Sequence, residues 1–189
     1  MPLTKLERAS GAEMAVTLIN SWDEYEPDHE HLRDADVLRR WFRGNGFPKA
    51  ADAVSDHDVV RAQELRARLT AAFDAATQAE AVEALNAMVE ESGTPPRLER
   101  GADSWTFTSW PDEAEGLAFL APYAALGLLE VIRDGGWERF GRCAGNPCRC
   151  VYIDRSRNRS RRFCCELCAD RVAQADFRRR RRSTEPARK

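Results

Sequence analysis

The chain has 189 residues, of which 43% are hydrophobic and 32% charged, a balance typical of one globular domain or one domain plus a small module. The longest apolar stretch, Gly116 to Ile132, is interrupted by Pro122 and Glu130, so it falls short of the roughly 20 apolar residues of a membrane-spanning helix. The N-terminus lacks the apolar segment of a secretory signal. We therefore predict a cytoplasmic protein with no membrane partner.

The net charge of −2 hides two parts of opposite charge. Residues 1–141 contain 14 Lys and Arg against 26 Asp and Glu, a net charge of −12. Residues 142–189 contain 15 against 5, a net charge of +10, and they also hold all six cysteines. The average charge argues against a nucleic-acid partner, whereas the charge of the C-terminal part favours one.

Helical patterns dominate the acidic part. Met14 to Trp22 predicts a first short helix. Asp34 precedes apolar residues at helical spacing, and Gly44 supplies a stop, so a second helix is predicted between them. Two further starts follow the pattern of a capping box, at Ser55 with Asp58 and at Thr77 with Glu80.

The rest of the acidic part combines a hairpin with a long helix. Arg97 to Trp110 alternates weakly around Gly101, which predicts a short β-hairpin. Pro111 then suits the first turn of a long apolar helix that reaches about Asp134, with a kink at Pro122. The first 141 residues are therefore predicted to form a mainly α-helical domain.

Residues 1–141 contain no recognisable catalytic motif. The cluster Asp28-His29-Glu30-His31 could supply a second metal site, but a solvated turn is the favoured interpretation because no third ligand is placed nearby. His57 fits a charged first helical turn at the surface. With no phosphate-binding loop and no nucleophile motif, we predict that the protein is not an enzyme.

The six cysteines form two clusters, and in a reducing compartment such clusters indicate metal ligands rather than disulfides. Cys143 and Cys148 enclose a Gly-Asn-Pro turn that can present two sulfurs to one ion. Cys168 pairs with either Cys164 or Cys165, and the spacing leaves both open. Four thiolates would close one tetrahedral Zn²⁺ site of structural type.

The segments around the cysteines predict a treble-clef-like module. Arg149 to Asp154 is prone to form a strand, and Ser160 to Cys164 is predicted to return as a second strand. A helix should follow Cys168 and pack through Ala169, Ala173 and Phe177. The predicted fold class is therefore mainly α, with a helical N-terminal domain that contains a short β-hairpin and a small C-terminal zinc module.

The same residues resemble a known family. The pair Cys143 and Cys148, the Asp-x-Ser-Arg-Asn-x-Ser-Arg-Arg-Phe-Cys run from Asp154 to Cys164, and Cys168-Ala169-Asp170-Arg171 are similar to the CGNR zinc-finger family. The preceding region resembles the helical ABATE domain of that family, with Leu18-Ile19-Asn20-Ser21 matching an apolar-apolar-Asn-Thr pattern. These are bacterial proteins regarded as stress-induced transcription regulators.

The resemblance implies a ligand set and a domain division. By position it selects Cys164 over Cys165, so the implied zinc ligands are Cys143, Cys148, Cys164 and Cys168. The implied domains are 1–141 (ABATE-like), 142–182 (zinc module) and 183–189 (flexible tail). The chain departs from the family pattern where Ala169-Asp170 replaces Gly-Asn and where Thr17 replaces Asp. The Asp170 departure puts contacts made through that Asn in question, but not zinc binding.

The basic residues of the C-terminal part are nearly all arginine, the residue best suited to bind phosphates and to read guanine. Some alternate along an extended segment and others share a helical face. The residues predicted to contact duplex DNA are Arg155, Arg157, Arg159, Arg161, Arg162, Arg171, Arg178, Arg179 and Arg182.

These features predict a zinc-dependent transcription regulator whose basic module binds duplex DNA and whose helical domain senses a small-molecule effector or forms a homodimer. One alternative is a zinc-containing adaptor that docks acidic protein partners, and another is a ligand-binding or enzymatic helical domain. A further hypothesis is that the acidic domain covers the arginines of the basic module, because their charges nearly cancel.

Overall fold

A computed structural model describes residues 8–94, 97–100, 105–108 and 111–184. Most of these residues are helical, which confirms the predicted mainly α fold. The elements in chain order are α1 (Gly11–Ile19), α2 (Ala35–Gly44), α3 (Pro48–Asp52), α4 (His57–Asp74), α5 (Gln78–Glu90), β1 (Arg97–Arg100), β2 (Trp105–Thr108), α6 (Leu117–Gly135), β3 (Phe140–Arg142), β4 (Val151–Ile153) and α7 (Glu166–Thr184), with single 3₁₀ turns at Glu113–Glu115 and Trp137–Arg139.

Two predicted helix starts are confirmed by their caps. The Asp34 carboxylate accepts a hydrogen bond of 2.7 Å from the N–H of Val37, in the first turn of α2. The Thr77 hydroxyl accepts one of 3.2 Å from the N–H of Glu80, at the start of α5. Each cap satisfies a backbone donor that the helix itself leaves without a partner.

The predicted capping box at the start of α4 forms with Asp58 in the position usually held by Glu. The Asp58 carboxylate accepts hydrogen bonds from the N–H and the hydroxyl of Ser55, at 2.8 and 2.7 Å. Burial raises the pKa of Asp58, but these hydrogen bonds and the nearby Arg61 outweigh burial and hold the pKa below its usual value. The ionised carboxylate therefore stabilises the helix start.

Three helices differ from the prediction. Helix α1 spans Gly11–Ile19 instead of Met14 to Trp22, because Ser10 and Glu13 form a capping box that starts it earlier. Helix α3 was not predicted, because its five residues are too few to show an apolar period. Helix α6 begins at Leu117 and not at Pro111, because Gly116 has a positive φ of 62° that separates the preceding 3₁₀ turn from the helix. The helix continues through Pro122 to Gly135.

Helices α1 and α6 cross at two glycines at the centre of the molecule. A Cβ atom on Gly11 would lie 2.1 Å from the carbonyl oxygen of Tyr123, and one on Gly127 would lie 2.2 Å from the backbone nitrogen of Ala12. The two backbones therefore approach so closely that only glycine fits at either position. Around this crossing the core is fully apolar, and its largest fully buried side chains include Met14, Leu18, Phe42, Leu69, Leu85, Leu120 and Leu128.

The predicted hairpin in the helical part is confirmed. Strands β1 and β2 pair antiparallel, with Arg97 opposite Thr108 and Arg100 opposite Trp105. Gly101, on which the prediction centred, lies outside the described residues. Across the described part of the chain, no helix combines the length and apolar character needed to cross a membrane.

A second strand pair joins the cysteine-rich part to the helical core. Strands β3 and β4 pair antiparallel, with Phe140 opposite Ile153. Val151 and Ile153 are buried in the same core as helices α1 and α4, and the Phe140 ring stacks on Phe73 with centroids 4.5 Å apart. Arg142 adds two hydrogen bonds of 2.5 Å to the Asp74 carboxylate at the end of α4. The hairpin is therefore packed as part of the helical core.

The predicted partner of the strand at 151–153 was wrong. That strand pairs with Phe140–Arg142, and residues 160–164 form no strand. The reason is tertiary, because β3 leaves α6 beside the core and can pair with β4 while both bury apolar side chains. Helix α7 extends to Thr184, and residues 185–189 of the predicted tail lie outside the described residues.

Candidate metal centre and nucleic-acid interface

The first pair of cysteines occupies the turn between β3 and β4. Cys143 directly follows β3, and its N–H donates a hydrogen bond of 2.9 Å to the carbonyl oxygen of Cys150. The N–H of Gly145 points at the Cys143 sulfur at 3.4 Å. Backbone donors aimed at a sulfur favour the thiolate, so this turn has the form of a zinc knuckle.

The second pair of cysteines lies at the start of α7. Cys164 precedes the helix, and Cys168 is buried in its first turn. The Sγ atom of Cys164 lies 3.6 Å from that of Cys168 and 3.8 Å from that of Cys148. The backbone N–H of Ala144 also donates to the carbonyl oxygen of Arg162 at 2.8 Å, which holds the second pair against the knuckle.

The four sulfurs fit one tetrahedral zinc ion. The Sγ atoms of Cys143, Cys148, Cys164 and Cys168 all lie within 4.8 Å of one another. A Zn–S distance of about 2.3 Å in a tetrahedron places sulfurs about 3.8 Å apart, which agrees with the two closest pairs. A closed set of four protein ligands leaves no open position for substrate, so the site suits a structural role.

The negative charge of four adjacent thiolates also favours a bound cation. Burial raises the pKa of the Cys168 thiol to about 12, and the neighbouring Cys143 and Cys148 sulfurs add to the rise. Burial and the close Cys168 sulfur likewise raise the pKa of Cys164 far above its usual value. Four adjacent thiolates therefore repel one another, and a bound Zn²⁺ would supply the compensating charge that keeps all four deprotonated.

Geometry distinguishes Cys164 from Cys165, the two candidates that the spacing left open, and it leaves Cys150 outside the cluster. Cys165 is exposed and outside the four-sulfur cluster, although its Sγ lies 3.8 Å from that of Cys164. Cys150 is half-buried beside the knuckle, and burial together with Cys148 raises its pKa to about 12. The structure thus brings together the four cysteines implied by the resemblance; their role as zinc ligands stays a prediction.

The loop after β4 is organised by one buried carboxylate. Asp154 is 4% exposed and accepts hydrogen bonds of 2.8 Å from the backbone N–H groups of Ser156 and Arg161. The hydrogen bonds from Ser156, with that from the N–H of Arg161, lower the pKa of Asp154. Arg139 clamps the same loop by donating to the carbonyl oxygens of Asp154 and Ser156 at 2.8 Å. Residues 154–161 therefore form a closed loop, and the predicted extended segment with alternating arginines is wrong.

Arg161 connects the loop after β4 to the segment that carries Cys164 of the four-cysteine cluster. Its guanidinium donates to the carbonyl oxygens of Phe163, at 2.9 Å, and of Cys164. It also lies over the Tyr152 ring, 4.8 Å from the centroid. These contacts fix the position of the segment that carries Cys164, so Arg161 has a structural role.

Several arginines pair with the helical part. Arg155 lies 3.6 Å from Glu13, Arg159 lies 3.8 Å from Glu138, and the exposed Arg149 lies 3.5 Å from Glu24. The side chains of Arg155 and Arg159 are nevertheless 65% and 50% exposed. Such solvent-exposed pairs are weak, so a phosphate can compete for the same guanidinium groups.

Two other arginines of the loop face solvent. Arg157 is exposed and makes no ion pair with any described residue. Arg162 is also exposed, with its guanidinium over the Phe163 ring at 5.5 Å and no carboxylate partner in the described part of the chain. These two side chains are accessible to a partner.

The predicted packing stripe of α7 is wrong. Ala169 is half-buried, but Ala173 is exposed and Phe177 is 61% exposed. The helix is anchored at its first turns, where Cys168 joins the four-cysteine cluster and the Arg171 guanidinium stacks on the Tyr25 ring at 3.9 Å. Beyond this anchor the helix projects from the core. Its apolar residues Ala173 and Phe177 are therefore not buried.

The remaining predicted arginines lie on this projecting part. Arg178 is exposed and has no ion pair among the described residues, and Arg179 pairs with Asp176 at 2.7 Å on the same helix. Arg182 is within α7, but its side chain lies outside the described residues. The structure therefore splits the nine predicted residues between the loop and α7, with Arg161 and Arg171 engaged in internal contacts.

One important residue was quoted in the sequence motif without a role. The Asn20 side chain donates a hydrogen bond of 2.9 Å to the carbonyl oxygen of Val151 and accepts one of 2.8 Å from its N–H. The amide thus acts as an extra strand residue beside β4 and joins α1 to the cysteine-rich part. Only the tertiary structure reveals this partner, which is 131 residues away.

Replacing Asn20 by Ala should destabilise the chain by about 2–3 kcal/mol, because the fully buried Val151 would lose both backbone partners. Urea unfolding measures the change. Asn45→Ala is the matched control, since the half-buried Asn45 side chain makes one bond, to the Trp41 carbonyl oxygen, and should cost about 1 kcal/mol or less. Equal losses in the two variants would contradict the role of Asn20.

The polar cluster at residues 28–31 stabilises the loop that carries Tyr25. Glu30 forms a half-buried ion pair with Arg66, whose guanidinium also donates to Ser21 at 2.8 Å. Tyr25 in turn donates a hydrogen bond of 3.3 Å to the carbonyl oxygen of Asn146 in the knuckle. Among the described residues, the four cysteines form the sole group suited to a metal, so the second metal site finds no support there.

Two family models match the chain. Residues 12–135 match ABATE, described as "Putative stress-induced transcription regulator", and residues 139–181 match the CGNR zinc finger. No curated protein matches the chain. The two matches follow the order of the helical core and of the cysteine cluster in the structure. The chain therefore belongs to the ABATE family of regulators and carries a C-terminal CGNR zinc finger.

Proposed function

We propose that this zinc-containing regulator binds duplex DNA through the arginines of its zinc finger. One observation supports the proposal most directly: Arg157, Arg162 and Arg178 are exposed and have no ion pair within the described part of the chain. Solvent-facing guanidinium groups without a carboxylate partner attract phosphates. Four thiolates on one Zn²⁺ would leave residues 142–189 with a charge of about +8.

The contacts divide the nine predicted arginines by role. Arg161 and Arg171 are positioning residues, since their guanidinium groups bind the Cys164 segment and the Tyr25 ring. Arg155 and Arg159 exchange weak ion pairs for phosphates when DNA binds. The primary phosphate contacts come from the remaining five, which are Arg157, Arg162, Arg178, Arg179 and Arg182.

We further propose one structural zinc ion, held by Cys143, Cys148, Cys164 and Cys168. We retain the division into a helical domain (1–141) and a zinc module that starts at residue 142, and we extend the module from residue 182 to Thr184, where α7 ends. The β3–β4 hairpin connects the two parts. Zinc supplies no chemistry to a substrate in this proposal, and it fixes the positions of the loop and of α7 relative to the helical core.

A cavity near the β3–β4 hairpin suits the predicted small-molecule effector. It is an open groove of about 410 Å³ between α1, α6 and the loop after β4, and its lining combines apolar residues such as Val131 and Ile153 with Glu130 and Arg155. A ligand bound there would contact both the helical core and an arginine of the loop. This position supports effector sensing as a second function, and a ligand that raises the melting temperature of the full chain would test it.

The DNA proposal is tested by fluorescence anisotropy of the zinc-loaded full chain on random-sequence duplex DNA over a series of salt concentrations. The triple variant Arg157→Ala, Arg162→Ala, Arg178→Ala should bind more weakly, and its slope of log affinity against log salt should shrink by about 2.7, which is about 0.9 per lost phosphate contact. The expected loss follows from the exposure of these three side chains.

A control variant carries the same charge change on the helical part. Arg33→Ala, Arg40→Ala, Arg68→Ala also removes three exposed arginines, and it should leave the salt slope unchanged. An equal loss in both triple variants would show that net charge alone matters. Absence of salt-dependent binding in the zinc-loaded wild type would refute DNA binding, and tighter binding to an acidic peptide would favour a protein-docking adaptor.

A further inference from the structure

We propose that α7 enters the DNA major groove and reads bases through Ala173, Gln174 and Phe177, with Phe177 contacting thymine methyl groups and Arg178, on the same helix face, contacting phosphate. The inference rests on the proposed DNA binding and assigns the part of the surface that gives sequence preference. These four side chains line one shallow surface concavity on the helix.

The first support is that α7 carries exposed apolar side chains which pack against no buried surface among the described residues. From Ala169 to Arg181 no side chain of α7 is buried, and Phe177 is 61% exposed. An α-helix with its side chains is about 10–12 Å wide, and the major groove is about 12 Å wide. The exposed part of α7 therefore has the width that the groove accepts.

The second support is the chemistry of the face. Gln can make two hydrogen bonds to adenine, and the apolar Ala and Phe side chains suit the methyl group of thymine. From Ala173 to Arg178 the helix rises about 7.5 Å, which corresponds to about two base-pair steps. One face thus combines the groups that distinguish bases in adjacent pairs.

The third support is the anchor at the start of the helix. Cys168 belongs to the four-cysteine cluster, and the Arg171 guanidinium stacks on Tyr25 of the helical part. The direction of α7 is therefore set before DNA binds. Arg157 and Arg162 belong to the preceding loop that the same cluster holds, so phosphate contacts and base contacts come from one rigid unit.

Charge favours DNA over a second copy of this helix as the occupant of the face. The run Arg178 to Arg182 directly follows Phe177, so two such faces would bring like charges together, whereas a duplex supplies phosphates on both sides of the groove. A dimer formed through Phe177 is therefore the competing outcome that the experiment must detect.

The test uses the zinc-loaded 189-residue chain and a duplex pool with a randomised centre. Sequences enriched by the wild type are remade with uracil in place of thymine, which removes only the methyl groups from the major groove. Wild-type affinity should fall about fourfold, the effect of one buried methyl group. Phe177→Ala should bind the thymine duplex about fourfold more weakly and should not distinguish it from the uracil duplex.

Leu167→Ala is the matched control, because Leu167 is an equally exposed apolar residue of α7, at 66%, near the anchored end. It should keep the wild-type preference for thymine. Equal wild-type affinity for thymine and uracil duplexes, with salt-dependent binding intact, would overturn this inference and leave the proposed DNA binding standing. Absence of binding to every duplex would overturn both, and a wild-type dimer that Phe177→Ala dissociates in sedimentation would assign the face to self-association.

Discussion

The 189-residue chain in which Ser replaces Cys164 should no longer retain zinc, whereas Cys165→Ser should retain one equivalent. The Cys164 sulfur lies 3.6 and 3.8 Å from two other sulfurs of the cluster, and Cys165 lies outside that cluster on the surface. Zinc contributes about 10–16 kcal/mol of binding free energy to small zinc modules, so loss of a ligand should have the largest effect of any single substitution in this chain.

The effect of Cys164→Ser should reach the helical core. The cluster fixes the turn between β3 and β4, and Val151 and Ile153 of β4 are buried among the helices. Native mass spectrometry measures the zinc content, and thermal unfolding followed by far-UV circular dichroism measures the coupling. We expect a lower midpoint for the whole chain in Cys164→Ser and a wild-type midpoint in Cys165→Ser. Zinc loss in Cys165→Ser alone would reverse the ligand assignment.

Gly127→Ala should destabilise the fold by more than about 3 kcal/mol. The new methyl group would lie 2.2 Å from the backbone nitrogen of Ala12 and 2.5 Å from the carbonyl carbon of Gly11, so helices α1 and α6 would have to separate. No side-chain rotation can relieve this overlap, because the opposing atoms are backbone atoms. Urea unfolding should show a lower midpoint. If the variant does not fold, it should instead be expressed as insoluble protein.

Gly44→Ala provides the comparison for that variant. Gly44 ends helix α2, and no heavy atom lies within 4 Å of the place where its Cβ would be. Alanine also favours the helical state over glycine by up to about 1 kcal/mol, so Gly44→Ala should be neutral or slightly stabilising. Wild-type stability in Gly127→Ala would contradict the close helix crossing.

Helix starts and the first cysteine pair were predictable because they depend on residues that are close together in the sequence. Asp34 and Thr77 cap helices as predicted, since an N-cap bond joins residues only three positions apart. The spacing of Cys143 and Cys148 around a turn predicted half of the metal cluster for the same reason. By contrast, the choice between Cys164 and Cys165 depended on resemblance, and geometry now places Cys164 in the cluster.

Packing predictions failed where the partner is distant in sequence. The spacing of Ala169, Ala173 and Phe177 suggested a buried stripe on α7, but a spacing does not reveal whether another element lies opposite it. Strand β4 was given a neighbour from the following segment, whereas it pairs with β3 and is bordered by the Asn20 amide. Each of these errors concerns a contact that the chain makes only after folding.

The sequence by itself determined a mainly helical chain, an acidic part and a basic part, and a cysteine cluster suited to zinc, because composition, capping and ligand spacing act over a few residues. The tertiary structure decided which arginines hold the module and which face solvent. Arg161 and Arg171 have the same charge as Arg157 and Arg178, and only their positions beside a backbone carbonyl or an aromatic ring separate the two groups. Charge is a property of the residue, whereas the exposure of its side chain is a property of the fold.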